Sequence, residues 1–367
     1  MTVRLYKSTD ASAPTLSGSA GALLTVLDAV LVNGYGSQTA AGWTIAFTGT
    51  NKRQYAMAAG GTSCQLYIDD SGPGAGTTRE ARINGFKTGT GIGTGTGQFP
   101  TTAQQTAPSG AVVVRKSTTA DATARAWTII ADGHTIYMFI ETGDRTSPLM
   151  SYPWMFGDFF SYYSGDTNNC AIIARNQENS GQYATVGMSN SILWGNQVKT
   201  SMVECFSQLV GFDNTILSHV LYGHYICANY TGVGGSIGFG KHSDQTKMGY
   251  PSSAISMLPQ MGALWSPTNG ITSPFSTAFP YPNAADGGLY LAPIWITHNG
   301  MVRGYFKGLW NPCQHLPLGH NDTISGTGNL SGKSLIAQMI HGTGTMSAGS
   351  ANEYPTQVVI EYSDTWV

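Results

Sequence analysis

The side chains of this sequence that could bind a ligand are concentrated in one aromatic stretch, Ser151 to Ser164, which holds seven aromatic residues. Exposed rings in such a run could stack against sugar rings. Aromatic residues that alternate along a strand more often belong to a hydrophobic core or to a contact between subunits. The stretch therefore contains a candidate subunit interface or glycan-binding platform, whose members are Trp154, Phe156, Phe159, Tyr162 and Tyr163.

Acidic residues near this stretch could be interpreted as a glycosidase pair, in which two carboxylates flank the bond that is cleaved. The candidates are Glu141, Asp144, Asp158 and Asp166. No spacing rule identifies such a pair from sequence alone, and the turns of any β-sheet protein place carboxylates near aromatic residues. We therefore predict no catalytic residues and no enzymatic activity.

Two places in the sequence carry residues that could bind a metal ion. Cys313, His315 and His320 are close in sequence, but flanking prolines place them in a loop, and no second cluster completes a zinc site. Asp69-Asp70 lies in the turn sequence DDSGPG and lacks the ligand spacing of a calcium-binding loop. We expect structural roles at both places and no bound metal.

A nucleotide-binding loop is suggested by the sequence GTGNLSGKS, Gly326 to Ser334. The phosphate-binding pattern requires glycine at the position that Thr327 occupies, and no apolar strand leads into the segment. We therefore reject this motif and predict no cofactor.

The element that organises the chain is a β-hairpin at Ala126 to Glu141, with Asp132-Gly133 as its two-residue turn. This turn pairs Ile129 with Ile136 and places Trp127 and Met138 on the same apolar face. The opposite face is about half apolar and aromatic, so we expect a second sheet or another subunit to cover it. The hairpin is thus predicted to lie in the middle of a β core.

An amphipathic helix is predicted over residues 19–32, because leucines and valines recur there on one stripe with a period of 3.6 residues. Ser17 or Ser19 could cap its start, and Gly34 suits the left-handed position after its end. Such a helix would cover one sheet.

Many short strands separated by turn residues predict an all-β fold, mainly antiparallel and sandwich-like or barrel-like. A second hairpin is expected where Leu289–Thr297 and Met301–Trp310 flank Asn299-Gly300. The Gly-Thr stretch at 89–97 looks like an exposed excursion or a linker. It suggests an N-terminal β domain at 1–110 and a larger β domain at 111–367, although one domain is also compatible with the pattern.

Charged residues make up only 10% of the 367 residues, while 47 are glycine. Ordinary soluble domains contain roughly 25% charged residues. A charge-poor surface suits a protein that packs against copies of itself, because burying charge costs free energy. No basic patch indicates nucleic acid binding, no apolar run is long enough to span a membrane, and the N-terminus lacks the apolar core of a signal peptide.

Segments spread over almost the whole chain resemble a family of tailed-bacteriophage virion proteins. The segments that carry this resemblance are MTVRLYKSTDASAPTLSG, LLTVLDAVLVNGYGSQTAAGWT, YIDDSGPGAGTTREARINGF, GTGQFP, RKSTTADATARAWTIIADGHTIYMFIETGD, FGDFFSYYSGD, GKHSD, DGGLYLAPIWI, RGYFKGLWNPC and SDTW. Residues 176–221 fit the family least.

The resemblance implies a structural protein of the phage particle, made in the host cytoplasm and assembled with copies of itself and other virion proteins. A tail, tail-tip or baseplate position is expected, with capsid decoration at the head surface or a receptor- or glycan-binding tip module as alternatives. The family carries no catalytic or ligand-binding residues that could be transferred to this chain.

Overall fold

The computed structural model describes residues 1–72, 78–99, 112–143, 152–162, 164, 166–176, 207–210, 216–219, 224–226, 236–237, 291–298, 301–312, 318–340 and 356–366. Over these residues the protein is mainly antiparallel β-sheet with one short helix near its N-terminus, which confirms the predicted class at that level.

Three sheets contain most of the strands. The middle sheet has, in spatial order, β1 (Arg4–Lys7), β9 (Trp127–Ala131), β10 (Thr135–Ile140), β11 (Tyr152–Asp158), β13 (Cys170–Ile173) and β17 (His224–Ile226). The N-terminal sheet has β14 (Arg175–Asn176), β8 (Val112–Arg115), β5 (Glu80–Phe86), β4 (Gln65–Asp69), β3 (Lys52–Ala56) and β2 (Thr44–Gly49). The C-terminal sheet has β18 (Ser236–Ile237), β19 (Leu291–His298), β20 (Met301–Pro312), β23 (Thr356–Glu361), β22 (Ser334–Ile340) and β21 (Thr323–Ser325), and β12 (Phe160–Ser161) also pairs with β20.

Two further strand pairs lie outside these sheets, β6 (Thr88–Gly91) with β7 (Thr94–Thr96) and β15 (Ser207–Val210) with β16 (Ile216–His219). The first pair covers most of the Gly-Thr stretch, which therefore forms a small hairpin rather than a linker. The amide of Gly93 donates to Gln54 Oε1 at 2.9 Å, which holds the hairpin against β3. Glycine suits this contact because it allows the hairpin backbone to approach the side chains of the sheet closely.

The predicted central hairpin is β9–β10, and every residue of both strands is buried. One face packs in a cluster with the helix and the N-terminal sheet, and includes Trp127, Ile129 and Met138. The other face, with Tyr137 and Phe139, packs in a cluster with side chains of the C-terminal sheet. Of the two coverings expected for this face, a second sheet or another subunit, the structure shows side chains of a second sheet.

The turn of this hairpin differs from the prediction by one residue. Asp132 pairs with Thr135, so Gly133 and His134 form the loop, and Ile129 lies opposite Met138 rather than Ile136. The cause is the carboxylate of Asp132, because its Oδ1 accepts the amides of His134 and Thr135, both at 2.8 Å. The resulting shift in pairing is two residues, an even number, so each side chain keeps its predicted face.

The helix comprises an α-helical part, α1 (Ala22–Leu27), and a π-helical turn, Asp28–Asn33. Its buried residues are Leu23, Leu24, Val26, Leu27, Val30 and Leu31. Gly34 follows with a positive φ of 76°, but its ψ of 170° is extended, so it does not adopt the left-handed helical conformation that was predicted. The predicted serine cap is wrong, because no N-cap side chain binds the helix and Asp70 Oδ2 instead accepts the amide of Leu23 at 2.9 Å.

The second hairpin is β19–β20, in which His298 pairs with Met301 around the predicted turn. The two-domain boundary at residue 110 stays a prediction, although β8 on one side of it pairs with β5 on the other.

Candidate functional site

The aromatic stretch is divided between two sheets. Its first part forms β11, where Trp154 and Phe156 are 3% and 0% exposed and face the N-terminal sheet. Phe159 is 1% exposed and packs against the C-terminal sheet, with its ring 6.3 Å from that of Phe306. These three side chains are core residues. Tyr162 reaches the surface, and Tyr163 lies outside the described residues.

Among the described residues, the exposed rings are those of Phe160 and Tyr162. With Tyr305 of β20 they form what we call the surface aromatic cluster. The ring centroids of Phe160 and Tyr305 are 4.8 Å apart, and those of Phe160 and Tyr162 are 5.2 Å apart. Tyr162 and Tyr305 complete the group at 6.0 Å. Distances of 4.5–7 Å with tilted or edge-to-face planes are favourable for aromatic pairs, so the three rings support one another.

A backbone crossing from the middle sheet to the C-terminal sheet positions this cluster. Gly157 has a φ of 145°, where a side chain would collide with the carbonyl oxygen of His134. The chain then continues as β12, in which Phe160 pairs with Tyr305. Gly304 permits the approach of the two strands, because a Cβ there would collide with the carbonyl of Phe160. The glycines therefore decide where the aromatic rings emerge.

Polar side chains hold the loop that follows β12. Ser161 donates its hydroxyl to Asp166 Oδ2 at 2.8 Å, and the amide of Asn168 donates to Asp166 Oδ1 at 3.1 Å. Lys87 Nζ lies 3.2 Å from Asn168 Oδ1 and connects this loop to the end of β5. Burial, together with the neighbouring Tyr162, raises the pKa of Tyr305, so its hydroxyl stays protonated at neutral pH.

The carboxylates considered as a glycosidase pair form hydrogen bonds with different parts of the protein. Asp158 is buried and accepts the amide and the hydroxyl of Thr62 at 2.8 Å and 2.5 Å. Burial raises the pKa of Asp158, although the hydrogen bonds from Thr62 oppose this shift. Asp158 thus joins the segment after β3 to the end of β11, whereas Asp166 orders the surface loop. Asp144 lies outside the described residues.

The candidate zinc ligands and the segment considered as a nucleotide-binding loop also show no arrangement of a binding site among the described residues. His320 Nε2 lies 3.1 Å from Glu141 Oε1, while Cys313 and His315 lie outside the described residues. Gly326 to Lys333 connects β21 to β22 and includes a short 3-10 helix at Gly328–Leu330, and Ser334 is the first residue of β22. Over the part of the chain that the structure describes, no three His, Cys, Asp or Glu side chains are grouped as metal ligands would be.

Asp69 and Asp70, the candidate calcium ligands, point to different partners. Asp69 Oδ1 accepts the amide of Ser71 at 3.1 Å, as in a turn, and its Oδ2 lies 3.1 Å from Lys52 Nζ. Asp70 is fully buried and forms an ion pair with the equally buried Lys116. The pair is part of the core rather than an open site.

The sequence interpretation missed two of the three rings in the surface aromatic cluster. Phe160 was within the stretch, and its spacing of two residues from Tyr162 is a signal for a shared strand face. Tyr305 could not have been found, because its neighbourhood depends on the pairing of β12 with β20, which are about 145 residues apart in sequence.

Among the described residues, no helix is both long and apolar enough to cross a membrane. Comparisons of the chain with protein-family models and with curated proteins found no match.

Proposed function

We propose that the chain is a structural component of a tailed-phage virion, located in the tail, the tail tip or the baseplate. The structural observation that carries the proposal is the middle sheet, whose two faces are buried by the sheets on either side. We infer a sandwich-like stack, which makes a rigid building block for a particle. The resemblance of segments along almost the whole chain to phage virion proteins supplies the biological setting.

The composition supports assembly with copies of the chain and with other virion proteins. With 10% charged residues, few charges have to be desolvated when subunit surfaces come together. A symmetric homo-oligomer within the virion is the arrangement that we propose, since most oligomers of one chain are symmetric.

A cryo-EM reconstruction of whole particles tests this proposal. Density for this chain at the tail or its tip, in threefold or sixfold rings, is the expected result. Density on the head lattice would instead establish the alternative, a capsid decoration protein. Absence of the chain from purified particles would refute both placements.

The surface aromatic cluster favours a second candidate function, a receptor- or glycan-binding tip module. Phe160 and Tyr162 are the exposed large aromatic side chains of the described residues. Particles that carry Tyr162→Ala should assemble normally and adsorb to host cells more slowly than wild-type particles. Unchanged adsorption by fully assembled particles would remove this candidate.

A further inference from the structure

We propose that Phe160, Tyr162 and Tyr305 form a binding site for one neutral hexopyranose unit of a glycan, which stacks on the exposed rings. This inference rests on the second candidate function, the binding tip, and gives it a site and a ligand class.

The size of the exposed apolar surface favours a small ligand over a second protein. Phe160 and Tyr162 are 40% and 56% exposed. An aromatic side chain has roughly 150–250 Å² of surface, so the two rings present about 200 Å². A stable protein interface buries about 800 Å² on each partner. The other exposed large apolar side chain among the described residues is Met1, which lies beside Gly133 in the turn of the central hairpin.

The chemistry of the cluster matches that of a sugar ring. A hexopyranose has an apolar face of C–H bonds and a rim of hydroxyl groups. The cluster combines the apolar faces of its rings with the polar phenol hydroxyls of Tyr162 and Tyr305. Tyrosine side chains suit contacts of this kind, in which one part of the ligand is apolar and another part is polar. The three side chains that form the cluster carry no charge at neutral pH, which favours an uncharged sugar over a sialylated or phosphorylated one.

The rings are held in place before any ligand binds. Phe160 and Tyr305 are a cross-strand pair of β12 and β20. Ser161, between the two exposed rings in sequence, is tied to Asp166 by a 2.8 Å hydrogen bond. Side chains that are already ordered lose less conformational entropy on binding, so a small contact area can still give measurable affinity.

Saturation-transfer NMR on the purified full-length protein tests the site. The probes are methyl β-D-glucopyranoside, methyl β-D-galactopyranoside and methyl α-D-mannopyranoside, each at millimolar concentration. We expect transfer to the C–H protons of at least one sugar. Tyr162→Ala should weaken that binding about tenfold or more, because it removes a stacking ring. Ile92→Ala, a partly exposed apolar truncation on the β6–β7 hairpin, is the matched control and should leave binding unchanged.

A second variant guards against the case in which Tyr162→Ala disturbs the loop. Phe160→Leu keeps an apolar side chain but removes the second ring, so it should also weaken sugar binding. The site is refuted if no probe receives saturation, or if both variants bind like wild type. It is also refuted if sedimentation shows self-association that Tyr162→Ala abolishes, because the cluster would then be a subunit contact. Sugar binding by the purified protein together with normal adsorption of Tyr162→Ala particles would refute the tip function and leave the site standing.

Discussion

Single residues can have opposite roles even when they are neighbours in sequence, as Asp69 and Asp70 show. The Asp69 carboxylate pairs with Lys52, whose side chain is 38% exposed. Asp70 and Lys116 are both 0% exposed, and Lys116 also donates to the backbone oxygen of Ser19 at 2.7 Å. The buried pair joins the end of β4, the segment after β8 and the start of α1. Its removal should therefore affect the whole fold.

We predict that Lys116→Met lowers the free energy of unfolding by about 3–5 kcal/mol at pH 7, because Asp70 loses its counter-charge and must either stay buried as an unpaired carboxylate or take up a proton in order to fold. Lys52→Met removes the exposed neighbouring pair and should cost less than about 1 kcal/mol. Urea unfolding followed by circular dichroism measures both values. Equal losses in the two variants would contradict the assignment of Asp70–Lys116 as the structural pair.

The pH dependence of stability should also report on Asp70. Burial raises its pKa from 3.8 to about 6, against the opposing effect of Lys116 and of backbone amides in α1. The folded protein therefore binds more protons than the unfolded chain between these two pH values. The stability from this group is fully present below about pH 4 and is lost as the pH rises through 6.

The measurement is the free energy of unfolding of wild type and of Asp70→Asn, which cannot titrate, between pH 4 and pH 7. The advantage of wild type over the variant should decrease across this range, because only the wild-type carboxyl releases its proton. An advantage that stays constant or grows with pH would show that the folded-state pKa is not raised.

At the scale of elements, the path of the chain between sheets depends on Gly157. We predict that Gly157→Ala destabilises the protein by about 2 kcal/mol or more, because φ is 145° and the new Cβ would lie 2.4 Å from the backbone of His134 and Thr135. Gly42 has a φ of 101° with open space around it, so Gly42→Ala carries backbone strain without a collision.

Thermal unfolding of the two variants compares these costs directly. Gly157→Ala should have the lower midpoint, and sugar binding at the surface aromatic cluster should weaken with it because β12 follows directly. If Gly42→Ala is equally destabilised, the cost at Gly157 comes mainly from backbone strain at positive φ and not from the collision of the new Cβ with His134 and Thr135.

At the scale of the whole molecule, the middle sheet couples the two outer sheets. Asn321 Oδ1 accepts hydrogen bonds from Thr128 of β9 at 3.0 Å and from Gln338 of β22 at 2.8 Å. The His320–Glu141 contact adds a second connection between the same parts of the fold. The middle sheet thus shares a core cluster and polar contacts with the C-terminal sheet, and it shares another core cluster with the N-terminal sheet. We therefore expect the three sheets to unfold together.

We therefore predict that Leu27→Ala, beneath the N-terminal sheet, and Ile360→Ala, in the C-terminal sheet, lower the midpoint of the same unfolding transition. Each removes a fully buried side chain and should cost about 2–5 kcal/mol. Thr25→Ala, on the exposed side of α1, should change stability by less than about 0.5 kcal/mol. Circular dichroism and tryptophan fluorescence should give coincident curves, whereas two transitions, each shifted by one variant, would contradict this coupling.

The sequence by itself determined the elements with strong local signals. Periodicity located the helix and its buried stripe, and alternation with Asn-Gly and Asp-Gly turns located the two hairpins and the faces of β9 and β10. These features depend on neighbours along the chain, so they can be read without knowing the fold. The helix cap was not among them, because its acceptor, Asp70, is 47 residues away from Leu23.

Only the tertiary structure decided which aromatic residues are buried and which reach the surface. Trp154 and Tyr162 belong to the same stretch, but one lies in the core and the other in the surface aromatic cluster. The difference arises at Gly157, where the chain leaves one sheet for another, and at the β12–β20 pairing, which adds Tyr305. Long-range pairing is set by the packing of complete sheets, and no pattern within the stretch itself encodes it.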